Sequence, residues 1–204
     1  ASFGKPMIVS TGMHDIAGLQ PTVDLLRSHR VPFALLHCTS VYPTPPSLVR
    51  LGAIAELREA FPDAVVGLSD HTLNNHTCLA AVALGASILE RHFTSDPAWP
   101  GPDIEVSMDP PALADLIAGA DEIHAALGGA KTVLAEEQVT IDFAFASVVT
   151  TAPVAAGSPF DRSNTWVKRP GDGEIPAARL PEVLGSSAAR DLPADHQLSW
   201  ADVR

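Results

Sequence analysis

The chain has 204 residues, of which 46% are hydrophobic and 18% charged, so a packed core is expected and global disorder is excluded. Its net charge of −11 argues against nucleic acid and anionic membranes as partners, because both attract basic surfaces. No stretch is apolar for the length of a membrane span, and no signal peptide is recognisable. The two cysteines, Cys38 and Cys78, lie in apolar segments and predict buried, reduced thiols of a cytoplasmic protein.

One pattern repeats from Pro6 to about Gly129: a short aliphatic run ends in small polar or histidine residues, and a segment with helical spacing follows. The strand-like runs are Pro6–Thr11, Phe33–Thr39, Val65–His71 and Ile88–Thr94. The helical segments are Leu19–Arg30, Ser47–Ala60, Asn75–Leu84 and Pro111–Leu127. Near-continuous apolar runs are typical of strands buried on both faces, and their alternation with helices predicts an α/β fold with a parallel sheet.

Two architectures fit these repeats, an open doubly wound sheet and half of a (β/α)8 TIM barrel. Every predicted strand ends in polar residues, as at Ser10, Ser40, His71 and His92. In a barrel the carboxyl ends of all strands converge on one site, whereas an open sheet has its site at a single switch point. No G-x-G-x-x-G motif follows the first strand. We therefore predict the second half of a barrel, about four βα units, over residues 1–130.

The composition changes near residue 130. Residues 131–141 are predicted to form a linker, and residues 142–204 a small β-rich domain. Strand-like pieces occur at Ala144–Thr150 and Asn164–Lys168, separated by many glycines and prolines. A module of about 60 residues is near the size at which a single core is marginally stable.

The pattern Ser69-Asp70-His71 and Glu90-Arg91-His92 is the strongest candidate for chemistry. The two histidines end consecutive predicted strands, so in a barrel they would lie side by side. Two imidazoles with open positions make a site for a divalent cation that acts as a Lewis acid. The alternative is two unrelated histidines that satisfy local hydrogen bonds.

Other polar residues at the same edge have two interpretations each. Asp103, in a Pro/Gly loop, is either a ligand for substrate hydroxyls or a solvated turn residue, and the same choice applies to Tyr42. Glu90 could orient a ligand, hold a proton or form an internal ion pair. Ser10 and Ser69 precede helices, where hydroxyl groups bind phosphate or simply cap the helix.

These segments, taken in order, resemble the N-acetylneuraminate (sialic acid) synthase family. The tail resembles the antifreeze-like (SAF) domain, a β-clip fold, that ends these enzymes. The matching segments are Lys5–Met13, Leu35–Pro43, Gly67–Thr72, Ala81–Ala86, Leu89–Thr94, Gly101–Asp103 and, in the tail, Trp166–Gly171 with Leu184-Gly185.

The resemblance implies a role for several of these residues. His71 and His92 match the two protein ligands of a manganese ion, with Mg²⁺ and Co²⁺ as alternatives, which polarises the open-chain sugar aldehyde. Ser10 and Ser69 match residues that contact the phosphate of phosphoenolpyruvate. Glu90 matches a catalytic-site glutamate.

The amino sugar and the partner subunit also have matching residues. Tyr42 and Asp103 match residues that hold the N-acetylated amino sugar. Ser40 stands where some bacterial members carry asparagine, so its contacts with the sugar are expected to differ. Arg169 matches an arginine that the SAF domain contributes to the other subunit of a domain-swapped homodimer.

The implied reaction joins phosphoenolpyruvate, N-acetylmannosamine and water into N-acetylneuraminate and phosphate. Legionaminic or pseudaminic acid synthesis is an alternative, as is an inactive fragment that acts as a sugar-binding or dimerisation module. Enzymes that make 3-deoxy sugar acids are disfavoured because they lack the SAF tail. The chain supplies about four of the family's eight strands, and the junction at Gly4 is too short for a crossover helix, so a skipped segment or a truncation is expected.

Overall fold

Four parallel strands form the central sheet of the first part of the chain in the computed structural model, which describes residues 1–204. The strands are β1 (Met7–Ser10), β2 (Phe33–Cys38), β3 (Val65–Asp70) and β4 (Leu89–Arg91). Each strand pairs with the next one along the chain, in the order β1-β2-β3-β4. Because this order never reverses, the sheet has no topological switch point, and the predicted half of a TIM barrel is confirmed.

Helices alternate with these strands. They are α1 (Ile16–Ser28), α2 (Pro46–Val49), α3 (Ala53–Ala60), α4 (His76–Ala83) and α5 (Pro110–Ala126). Asp15 and Asp109 precede α1 and α5, and each carboxylate accepts a hydrogen bond from a backbone N–H of the first turn. The prediction of one helix over Ser47–Ala60 is wrong. Arg50 adopts a left-handed conformation with φ of 54°, which ends α2 and lets α3 begin three residues later.

Burial differs between the strands according to their place in the sheet. All six residues of β2 are buried, as its continuous apolar run predicts. In β1, partly buried and exposed positions alternate, and Ile8 is 58% exposed. β1 lies at an edge of this sheet and has a neighbouring strand on one side only. The core between sheet and helices includes Leu35, Ile54 and Phe61.

The fourth strand is shorter than the predicted Ile88–Thr94, because β4 ends at Arg91. Beyond it, the backbone turns to Met108: the Met108 N–H donates to the His92 carbonyl at 2.9 Å, and the Thr94 N–H donates to the Met108 carbonyl at 2.9 Å. His92 therefore follows the strand directly and lies in a segment paired with the chain before α5.

Cys38 and Cys78 are both buried and free, as predicted. Burial raises the pKa of the Cys78 thiol well above its usual range, with the nearby Asp70 carboxylate adding to the shift. Cys78 is therefore a neutral hydrogen-bond donor. None of the helices is long and apolar enough to cross a membrane.

The chain divides into two units, Ala1–Gly129 and Ala130–Arg204. The second unit contains α6 (Gln138–Ala144), an antiparallel pair of strands β5 (Ser147–Thr150) and β6 (Thr165–Lys168), and α7 (Leu180–Val183). Its core is a cluster of fully buried apolar residues, among them Val148, Phe160, Ile175, Val183 and Leu198. The segment expected to be a linker, residues 131–141, contains a 3₁₀ turn at Ala135–Glu137 and the first residues of α6.

A buried carboxylate near the end of the second unit accepts hydrogen bonds from several residues. The side chain of Asp202 is 2% exposed and accepts hydrogen bonds from Ser199, His196 and Arg190. Burial by itself would raise the pKa of Asp202, but these hydrogen bonds outweigh it and lower the pKa to about 2. The ionised carboxylate is therefore the form that stabilises the fold.

We expect the second unit to lose stability between about pH 4 and pH 2. The pKa of Asp202 is lower in the folded chain than in the unfolded chain, so its contribution is complete above pH 4 and is lost as pH falls. The shift corresponds to about 2.5 kcal/mol. Urea unfolding measures this contribution as the difference in free energy of unfolding between the unsubstituted chain and Asp202→Asn. This difference should shrink as the pH falls toward 2. The exposed Asp195→Asn is the control, and an equal pH dependence in both variants would contradict the assignment.

Candidate functional site

Two histidines stand side by side at the carboxyl ends of β3 and β4. The register pairs Asp70 with Arg91, so the residues that follow, His71 and His92, are neighbours. Their ring centroids are 5.2 Å apart, and the ring planes are inclined at 74°. His71 is buried, whereas the side chain of His92 is 33% exposed. Two imidazoles therefore meet at one end of the sheet, as the sequence predicts.

The loop after β2 brings Tyr42 to the same place. Its ring centroid lies 4.0 Å from that of His71 and 5.8 Å from that of His92. Partial loss of solvent raises the pKa of Tyr42, with smaller contributions from Cys38 and Asp103. Tyr42 is thus a neutral phenol at physiological pH, 49% exposed, and able to donate a hydrogen bond to a ligand.

Asp103 approaches the histidines from the loop after β4. Its Oδ2 lies 3.8 Å from Nδ1 of His92, and its side chain is 47% exposed. Asp103 also adopts a left-handed backbone conformation with φ of 61°, immediately before a 3₁₀ turn at Ile104–Val106. Strained conformations of this kind cluster at ligand sites. This favours the interpretation of Asp103 as a ligand for substrate hydroxyls over that of a solvated turn residue.

Below the histidines, Ser69 and Glu90 form a cross-strand pair. Their Cα atoms are partners in the register, and Ser69 Oγ donates to Glu90 Oε1 at 2.8 Å. Side chains alternate between the two faces of a strand, so this pair and the two histidines share one face of the sheet. Ser69 is buried and Glu90 is exposed, which leaves the second carboxylate oxygen of Glu90 free for another partner.

The tautomer of His71 follows from its hydrogen bond. Nδ1 lies 3.0 Å from the backbone carbonyl oxygen of Thr39, which can only accept, so Nδ1 carries a proton, and in the neutral ring Nε2 presents the lone pair. Metal-binding histidines are oriented by this kind of second contact.

The residues present fit a divalent cation held by two imidazoles, with its remaining positions open to water or substrate. No group of three or more histidine, cysteine, aspartate or glutamate side chains is arranged around a metal position.

The remaining predicted residues are placed as follows. Ser10 ends β1 and is exposed. Ser40 is partly buried, with its Oγ 3.9 Å from Sγ of Cys38. Arg169 belongs to the second unit, where it follows β6, is exposed and lies with its Cζ 5.9 Å from the centroid of the Phe143 ring. The structure brings His71, His92, Tyr42 and Asp103 together.

Sequence reasoning missed Asp70 and Arg91, the middle residues of the two histidine motifs. Both side chains are only 2% exposed, and they lie 3.8 Å apart, from Arg91 Nε to Asp70 Oδ2. A signal was present in the sequence, since period-2 alternation places both residues on the face opposite the histidines. A charge of each sign on a face covered by helices predicts a buried ion pair.

Comparisons with known proteins assign both parts of the chain to families. Residues 1–132 match the NeuB family, and residues 145–204 match the SAF domain. The chain is 38% identical to the N,N'-diacetyllegionaminic acid synthase of Campylobacter jejuni, over 96% of the chain and 59% of that protein. It is also 38% identical to the N-acetylneuraminate-9-phosphate synthase of Homo sapiens, over 63% of the chain and 36% of that protein.

A solved structure is also similar to this chain along its whole length. The spore coat polysaccharide biosynthesis protein SpsE of Bacillus subtilis is 31% identical, with a TM-score of 0.59 over 100% of the chain and 62% of that protein. The chain therefore spans about 60% of the length of the relatives that it matches from end to end.

Proposed function

Because this chain belongs to the NeuB family and carries a SAF domain, we propose that it is part of a synthase that condenses phosphoenolpyruvate with an N-acetylated amino sugar. The observation that carries this proposal is the meeting of two histidines at the ends of neighbouring parallel strands. Tyr42 and Asp103 flank the pair, and Glu90 lies on the same face below it.

In this proposal His71 and His92 hold a divalent cation, Mn²⁺ first and Mg²⁺ or Co²⁺ as alternatives. The Nε2 lone pair of His71 is available because Nδ1 is bonded to the Thr39 carbonyl. When bound, such a cation withdraws charge from an aldehyde oxygen of the sugar as a Lewis acid.

The chain's other residues hold the two substrates. Tyr42 and Asp103 border the open side of the histidine pair and are proposed, with Ser40, to bind the hydroxyl and acetamido groups of the sugar. Ser10 and Ser69 are proposed to contact the phosphate of phosphoenolpyruvate. Glu90 is proposed as a catalytic residue, because its carboxylate is exposed and held in place by Ser69.

The proposed reaction makes one carbon–carbon bond and exchanges the C2–O bond to phosphate for a C2–O bond to water, whose two protons go to the sugar alkoxide and to the departing phosphate. C3 of phosphoenolpyruvate attacks the aldehyde carbon of the open-chain sugar, and an oxocarbenium-like centre forms at C2. Water adds at C2, and phosphate leaves with its bridging oxygen by C–O cleavage. Preorganised charge at the developing alkoxide accounts for the rate increase in such a site.

The second unit is proposed to complete the site of another subunit. Arg169 is exposed beside a tight turn and is available to an anionic substrate. This role implies a domain-swapped homodimer, with residues 1–130 as the barrel half, 131–141 as the linker and 142–204 as the SAF domain. The enzyme is proposed to be cytoplasmic.

The sugar is proposed to be N-acetylmannosamine, giving N-acetylneuraminate. A second candidate has its own support: the Campylobacter jejuni relative that matches 96% of the chain is named for N,N'-diacetyllegionaminic acid. A product with two N-acetyl groups requires a diacetamido sugar as substrate. Pseudaminic acid synthesis is a further variant of the same chemistry.

Phosphate release from phosphoenolpyruvate tests both sugars. With Mn²⁺ present, we expect release that depends on an added N-acetylated sugar, and the rates with N-acetylmannosamine and with a 2,4-diacetamido sugar decide between the candidates. A monoacetylated glucosamine, with the opposite configuration at C2, is the control. If the folded chain binds Mn²⁺ but releases no phosphate with either sugar, the chain by itself is an inactive fragment, and a sugar-binding or dimerisation module becomes the candidate to test.

A further inference from the structure

A buried polar network lies behind the histidine pair, on the opposite face of β3 and β4. Alternation along the strands directs Ser69, His71, Glu90 and His92 to one face and Asp70 and Arg91 to the other, where helices cover them.

Arg91 ties together segments that do not pair as strands. Its Nη2 donates to the backbone carbonyl oxygen of Thr72 at 2.5 Å, and its Nη1 donates to Oδ1 of Asn75 at 2.7 Å. The Asn75 amide in turn donates to the Ala112 carbonyl at 2.8 Å and to Asp115 at 3.0 Å, both in α5. A side chain of β4 is therefore anchored to the peptide beyond His71 and, through Asn75, to α5.

Asp70 closes the same network from β3. Its Oδ1 accepts the Thr72 N–H at 3.2 Å, and its Oδ2 accepts the hydroxyl groups of Thr72 and Thr77, each at 2.7 Å. Arg91 Nε is buried without a hydrogen-bond partner and lies 3.8 Å from the same Oδ2. Because Asp70 and Thr72 flank His71, the carboxylate bridges the backbone around that histidine.

The contacts link the positions of the two histidines. Arg91 immediately precedes His92 in the chain, and its guanidinium holds the Thr72 carbonyl immediately after His71. These contacts need the planar guanidinium group, because its two terminal nitrogens donate in different directions, one to Asn75 and one to Thr72. Replacing a buried ion pair with apolar residues is often neutral or stabilising, so stability by itself does not explain this pair.

We propose that Arg91 is a positioning residue that fixes the separation and the ring orientation of His71 and His92, and thereby the affinity of the pair for a divalent cation. The effect on cation affinity rests on the proposed function, whereas the effect on the separation and orientation of the two rings does not. Loss of partners that orient metal ligands typically weakens metal binding by about 10- to 100-fold.

The test uses Arg91→Lys, which keeps the positive charge opposite Asp70 but loses the planar guanidinium group with its several donors. The matched control is Arg58→Lys, because Arg58 Nη2 also donates to a backbone carbonyl, that of Leu84 at 2.7 Å, away from the histidines. Two quantities are measured on the folded chain: the dissociation constant for Mn²⁺, from the electron paramagnetic resonance signal of free Mn²⁺, and the ¹⁵N resonances of the histidine rings without metal.

We expect Arg91→Lys to weaken Mn²⁺ binding by about 10- to 100-fold. In the unsubstituted chain the His71 resonances should report the Nδ1–H tautomer, and the variant should show a mixture of tautomers. Arg58→Lys should change neither quantity. Should Arg91→Lys fold poorly, Asn75→Ala removes one arm of the anchor and should change both quantities in the same direction.

Unchanged affinity and unchanged ring resonances in folded Arg91→Lys would overturn the proposal. If the unsubstituted chain binds no Mn²⁺, the proposed metal site fails, and the ring resonances alone decide the positioning role. Weaker binding that appears equally in Arg58→Lys would assign the effect to general destabilisation and would also overturn the proposal.

Discussion

Replacing His71 with alanine is expected to weaken Mn²⁺ binding by more than about 100-fold, since even indirect partners of metal ligands are worth about 10- to 100-fold. Phosphate release that depends on the amino sugar should fall to background. The physical reason is that the remaining imidazole, His92, cannot by itself hold a cation against water at the open end of the sheet. Calorimetric titration with Mn²⁺ and a phosphate-release assay measure the two effects.

The matched control for this change is His76→Ala. His76 is exposed at the start of α4, five residues along the chain, and its side chain does not lie among the site residues. We expect its Mn²⁺ affinity and its activity to equal those of the unsubstituted chain. Full activity in His71→Ala would show that His71 and His92 are a structural pair and not a metal site. Equal losses in His71→Ala and His76→Ala would assign the effect to general destabilisation and would contradict the prediction.

The meeting of His71 and His92 could be predicted from the sequence because it depends on strand order and register. Ser69-Asp70-His71 and Glu90-Arg91-His92 end consecutive strands, and parallel pairing in register brings equivalent residues together. That the two histidines are neighbours follows from this register without knowledge of any helix. The fold class was accessible for the same reason, since alternating apolar runs and helical segments allow few topologies.

Other features depend on tertiary contacts that no local pattern reveals. The left-handed residue Arg50 divides a segment whose spacing favours one helix. After the early end of β4, the His92 segment pairs with Met108, which lies well beyond it in the chain. The proposed role of Arg169 lies in the site of another subunit. No local pattern in the sequence reveals such a contact, so the sequence suggests this role only through resemblance to the family.

The buried pair Asp70–Arg91 gives the largest expected effect on stability. Its two side chains are each 2% exposed, so removing one charge leaves the other buried without compensation. We expect Asp70→Ala to lower the free energy of unfolding by about 3 to 5 kcal/mol. Chemical denaturation followed by circular dichroism measures this loss. Asp63→Ala is the control, because its ion pair with Arg27 lies at the surface and is expected to contribute less than about 1 kcal/mol.

The double variant Asp70→Ala with Arg91→Met separates the cost of an unpaired charge from the value of the pair. The second substitution removes the guanidinium that the first one leaves unpaired, so the double variant should be more stable than the sum of the two single changes predicts. It should nevertheless bind Mn²⁺ poorly, because the anchor between the two histidine segments is gone. Stability that recovers together with full metal affinity would mean that the pair serves packing alone, whereas recovery of stability without metal affinity would separate folding from the geometry of the site.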